Sequence, residues 1–206
     1  MQTRMRMIKL LTLRDDMSVF SGPEAAEVFS SHYKIISEES DRGAVIVAAS
    51  ILDESLGGIL RAFLLQPAAK NDALLDGAYA PLGSFAAKIE LSFRLGIIRK
   101  PVRQQLILFK SIRNDVAHRI SVASLEDETC RSRMFEILKT TPEITESIVK
   151  TMNQADHGLE HISGETDLIN VYGSRKTFDL MFSMVCMAVT QIAKTIEPID
   201  CFDNES

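Results

Sequence analysis

The stretch Ser111-Ile112-Arg113-Asn114-Asp115-Val116-Ala117-His118 holds the side chains best suited to chemistry in this sequence. An Arg guanidinium can grip a phosphate through two parallel hydrogen bonds and neutralise charge that develops on it. A His can take or give a proton near neutral pH. On a helix, Asn114 lies four residues and Asp115 three residues before His118, so either can neighbour the imidazole and fix its tautomer. Geometry sets a limit, because Arg113 and His118 are five positions apart, about 140° around an ideal helix. A joint site needs the helix to end or bend near Ala117, or two copies of the chain to meet. The plainer alternative is an ordinary helix C-terminus, where His118 complements the dipole and Arg113 is a solvated surface residue.

The elements that must position these residues are helical almost throughout, since no alternating run is long enough for a sheet. Ser21-Gly22-Pro23-Glu24 opens a helix over about 22–38. Ser40 caps a longer one from Asp41 to about Gln66, stopped by Pro67, and its apolar run Ala44–Leu52 makes it central. Asp53 and Glu54 interrupt that run, so they must face solvent, an interface or a base such as Arg61 or Arg113; Gly57-Gly58 allows a close neighbour or a slight kink. Residues 67–83 read as a loop. Ser84 caps a helix ending before Gly96, and Pro101 starts the helix that carries the motif to His118. Short helices follow near 129–139 and 142–152, then a polar loop over 153–173. Ser174 opens a last helix with Phe178, Met181, Phe182, Val185, Val189, Ile192 and Ile196 along one side. The expected architecture is all-α, a single-domain helical bundle over residues 21–197, with an N-terminal extension at 1–20 and an acidic tail at 198–206.

Composition narrows the class. A 206-residue chain that is 46% hydrophobic is too apolar for disorder, and its 10 Gly and 6 Pro exclude collagen-like sequence. Three cysteines, Cys130, Cys186 and Cys201, show neither disulfide nor zinc spacing and suit a reducing, cytoplasmic setting. No secretory signal is evident at the N-terminus, and the best membrane candidate, between Lys176 and Lys194, reads as a core helix. The net charge of −5 argues against a general nucleic-acid coat. Its distribution is uneven. Residues 94–119 carry Arg94, Arg99, Lys100, Arg103, Lys110, Arg113 and Arg119 against Asp115 alone, a balance of +6, which leaves −11 for the rest. Phosphate ligands would need such a segment. Equally, the cations can be solubilising positions facing acidic stretches such as Glu38-Glu39-Ser40-Asp41 or Glu126–Glu128. Only Phe93 and Phe109 accompany them, both on apolar faces, so base stacking is poorly served.

Two other spacings read as structural. His157 and His161 stand at i and i+4, a metal-pair spacing, but Gly158 weakens the helix and no third ligand is marked. Met181, Met184 and Met187 beside Cys186 could bind Cu(I), yet on a long helix Met usually fills core. No metal or cofactor is expected.

The Arg-x4-His element, with Asn directly after the Arg, resembles the Arg-x4–6-His signature of HEPN domains. Its surroundings resemble the mannitol operon repressor (MltR) family over about residues 40–120, through Leu74-Leu75-Asp76-Gly77, Pro81-Leu82-Gly83-Ser84, Lys88-Ile89 and Leu95-Gly96-Ile97-Ile98. The resemblance implies a dimeric helical bundle. The MltR side implies a transcriptional regulator that acts through a protein partner or RNA; no helix-turn-helix is present to read a major groove. The HEPN side implies a metal-independent endoribonuclease. There His118 would be general base or acid, Arg113 would stabilise the pentacoordinate phosphate, and Asn114 and Asp115 would orient the imidazole or the substrate; on that reading Arg99, Lys100, Arg103, Lys110 and Arg119 of the basic segment are the candidate contacts to the RNA backbone.

Overall fold

In the computed structural model, residues 22–118, 124–155 and 162–199 are described. They form seven helices: α1 (Pro23–Ser37), α2 (Asp41–Phe63), α3 (Phe85–Arg94), α4 (Lys100–His118), α5 (Glu128–Thr140), α6 (Pro142–Ala155) and α7 (Glu165–Thr195). No strand occurs among the described residues. The fold is all-α, as the helical periodicity requires.

Local signals set the boundaries. Ser40 and Ser84 are N-caps, with their hydroxyls accepting from Gly43 N–H at 3.1 Å and Ala87 N–H at 3.2 Å. Gly96 takes φ +75°, ending α3 in the left-handed conformation that glycine adopts without strain. α2 stops at Phe63, earlier than Pro67 alone would dictate, because Leu64 is already extended.

Two expectations need correction. The polar loop predicted over 153–173 is helical at both ends: α6 runs to Ala155, and α7 begins at Glu165. Gly173 breaks α7 with φ +77°, so Ser174 does open a helical segment, but a first one precedes it. Glu126 bridges the break. Its carboxylate accepts from Ser174 N–H at 2.8 Å, Ser174 Oγ at 3.0 Å and Arg131 Nη1 at 2.7 Å. Burial raises its pKa, but these bonds outweigh that and hold it below the ordinary range. The second correction concerns membrane candidates. Among the described residues α2, not Lys176–Lys194, is long and apolar enough to cross a bilayer. Its Ala44, Val45, Ala48, Leu52, Leu56 and Leu60 are buried in the bundle.

The second part of α7 is the spine. It runs antiparallel to α1, with Lys194 on Glu24 at one end and Arg175 donating to the Ile36 carbonyl at 2.9 Å at the other. Along α2 it runs parallel, with Arg175 on Asp41 and Ile199 N–H on the Phe63 carbonyl. Phe178 and Phe182 of the spine pack on Phe109 of α4, with Phe109–Phe182 centroids 4.0 Å apart. Arg175 also takes both oxygens of Asp179 at 2.9 and 3.0 Å. Even so, burial pushes the Asp179 carboxyl above its usual range; Arg175 opposes this, and the nearby Asp41 charge adds to it.

Candidate functional site

α4 is amphipathic. Gln105, Leu106, Phe109, Ile112 and Val116 face the core, leaving Arg113, Ala117 and His118 exposed. Its C-terminal end is anchored from α2: Arg42 Nε and Nη2 donate to the Val116 carbonyl at 3.2 and 2.9 Å, satisfying one of the acceptors a helix end leaves open. On the other side α5 runs antiparallel to α4. Arg133 of α5 ion-pairs with Asp115, and Gln105 Nε2 donates to Thr141 Oγ1 at 3.0 Å.

The motif residues therefore part company. Arg113 Nη1 donates to the Asn114 amide oxygen at 3.1 Å. Asp115 turns to Arg133, not to the imidazole, which corrects the expectation that it would fix the tautomer of His118. A charged guanidinium facing it across the α4–α5 seam is the stronger partner. His118 ends the helix in solvent, and no described side chain hydrogen-bonds it. α4 does not bend at Ala117; it stays helical through Ala117 and ends at His118, and residues 119–123 lie outside the described ones. Along this straight helix Arg113 and His118 do not converge on one ligand.

Of the basic residues, Arg99 and Lys100 are exposed and Lys110 is half-exposed. Arg103 is committed to Glu90, with its Nε at 2.9 Å and its guanidinium 5.0 Å from the Phe93 ring centroid. Arg119 lies outside the described residues, as do Cys201, His157 and His161. Met181, Met184, Met187 and Cys186 are buried core, and burial drives the Cys186 thiol pKa far upward, away from a ligating thiolate. No group of three or more His, Cys, Asp or Glu among the described residues could hold a metal.

Sequence reasoning missed four residues that shape this region: Arg42, Lys88, Arg133 and Lys139. Lys88 is buried on α3 and reaches across Gly57 to Asp53 Oδ1 at 2.8 Å, so Asp53 pairs with neither Arg61 nor Arg113. A Cβ on Gly57 would sit 3.3 Å from Arg61 Nη1 of its own helix and 3.8 Å, an ordinary contact distance, from Lys88 Nζ, whereas Gly58 faces open space. Lys139 joins Lys100, Gln104 and Glu136 around a cleft of about 340 Å³ between the start of α4 and the end of α5. A second cleft, of about 390 Å³, lies between α5 and α7 over Arg131, Phe135 and Asn170. Spacing along one helix carries no signal for such cross-helix partners.

The geometry defines a helical-bundle protein with a basic, unassembled motif surface. No family model matches the chain, and no curated protein matches it either. Among solved structures, the MtlR–HPr complex from Escherichia coli is similar at 18% identity and a TM-score of 0.45, covering 82% of this chain and 97% of that one.

Proposed function

We propose that this chain is a cytoplasmic, MltR-like regulator that acts by binding a macromolecular partner and has no nuclease activity of its own. One observation carries the reading. The residues that would do chemistry are held in structural contacts or turned apart: Arg113 on Asn114, Asp115 on Arg133, and His118 at a solvent-facing helix end. A catalytic His needs a partner to set its tautomer and a cation within reach of the same phosphate. Neither is built among the described residues of one chain. The alternative is a HEPN-type metal-independent endoribonuclease whose Arg113 and His118 meet across a homodimer, so oligomeric state bears on it directly.

The test is incubation of the full chain with structured and single-stranded RNA in EDTA, beside His118→Ala, with sedimentation to record whether a dimer is present. Intact RNA with both proteins is the expected result. Cleavage by the parent that disappears in His118→Ala would overturn the regulator reading. Affinity capture from the native host should recover one reproducible partner; repeated recovery of none would overturn it from the other side.

A further inference from the structure

Three of the four cations of α4, Lys100, Lys110 and Arg113, meet no carboxylate among the described residues. On an ideal helix Arg113, Lys110, Arg103 and Lys100 fall within an arc of about 140°. Asp115, the one acid of α4, lies outside that arc and is held by Arg133. Arg94 and Arg99 extend the stripe through the α3–α4 turn, and both are exposed. Arg103 is neutralised by Glu90. Among the described residues, no ion pair joins Arg94, Arg99, Lys100, Lys110 or Arg113 to a carboxylate.

Two acids of the segments that could have neutralised the stripe, Asp41 and Glu126, are engaged elsewhere. Asp41 receives Arg175 and the Leu125 N–H, and Glu126 receives Arg131 and Ser174. Elsewhere Arg61, Lys88, Arg131, Arg133, Arg175 and Lys194 each meet a carboxylate, while Lys34, Lys70 and Lys150 stand as isolated cations away from any such row. What remains is a row of cations, interrupted by the Arg103–Glu90 pair, on a chain of net charge −5.

We propose that this stripe is the docking surface for the partner and that the partner presents a compact acidic protein patch; the proposal rests on the reading of the chain as a partner-binding regulator. Charge complementarity selects the sign. The surroundings select protein over RNA. Single-stranded bases need exposed aromatic faces to stack on. Here Phe93 is half-buried beneath Arg103, and Phe109 is buried against Phe178 and Phe182. An extended polyanion would also run onto the acidic remainder of the chain, whereas a compact patch would meet the stripe alone.

The test uses fluorescence anisotropy with the full chain and two probes, a short Asp/Glu-rich peptide and a single-stranded RNA of matched charge. The variants are Lys110→Glu with Arg113→Glu on the stripe, and Lys34→Glu with Lys150→Glu on exposed faces of α1 and α6 as an equal change in net charge. Circular dichroism confirms that each folds. The peptide should bind the parent more tightly than RNA does. Its affinity should fall by about ten-fold or more in the stripe variant, and by less than about two-fold in the control. Equal losses in both variants, no loss in the stripe variant, or tighter binding of RNA would each overturn the proposal. Host capture separates the two levels. A stripe variant that still recovers the parent's partner sinks the surface alone, whereas a parent that recovers nothing sinks the regulator reading beneath it.

Discussion

His32, on α1, has its Nδ1 buried with no hydrogen-bond partner among the described groups. Burial lowers its pKa from 6.5, because a proton on that nitrogen would be both desolvated and unpaired. The unfolded chain then binds the proton more readily than the folded one. Stability is therefore full above the unfolded pKa of 6.5 and is lost as pH falls below it toward the folded value. Thermal melts between pH 7.5 and 5.5 should show the midpoint falling in the parent and falling less in His32→Gln; parallel slopes would exclude His32 as the cause. Side-chain detail of this kind was hardly legible in the sequence. Spacing along one helix suggested Asn114 and Asp115 as neighbours of His118, but could not foresee that Arg113 takes Asn114 and that Arg133 takes Asp115. The second pairing depends on the register of α5 against α4, which no local pattern encodes.

Helix boundaries were far more legible than side-chain partners, because caps and breakers act within a few residues. Ser40, Ser84 and Gly96 sit where their chemistry places them, and Pro101 falls one residue inside the start of α4 at Lys100. The miss was Glu165–Tyr172, whose polar, half-exposed sequence reads as loop until Leu168 and Ile169 are seen buried against the rest of the bundle. Glycines at this scale make a signed prediction. Gly58 lies inside α2, faces open space and has an ordinary helical backbone, so Gly58→Ala should stabilise by about 0.5–1 kcal/mol through reduced unfolded-state entropy. Gly173 has φ +77°, where a Cβ is strained, and it makes the break that lets Glu126 cap Ser174. Gly173→Ala should destabilise by about 1 kcal/mol or more. Urea midpoints measure both, and shifts of the same sign in the two variants would contradict the assignment of the two backbone states.

At the scale of the whole molecule, the periodic apolar positions identified most of the inner face of α7 from sequence alone: Phe178, Met181, Phe182, Val185 and Val189 are buried, while Ile192 and Ile196 are partly buried and Ile196 lies just past the helix end. The sequence did not disclose that this face unites both halves of the chain. α7 packs on α1 and α2 from one half and on α5 and α6 from the other, while Phe182 stacks on Phe109 of α4 and on Phe178, with centroids 4.0 and 4.5 Å apart. A core so joined should unfold as one unit. Phe182→Ala removes the ring that sits between the other two, and cavity formation at such a site costs about 3–5 kcal/mol. Against a total stability of roughly 5–15 kcal/mol for a domain, that is a large fraction. For a chain of this length it corresponds to a fall in Tm of about 10 °C. Far-ultraviolet circular dichroism and tyrosine fluorescence should report one coincident, shifted transition, since Tyr33 on α1 and Tyr172 on α7 both pack against this core. Separate transitions for the two probes would show instead that the halves before and after residue 120 fold independently, and that the α4 stripe stands on a unit that does not need the C-terminal spine.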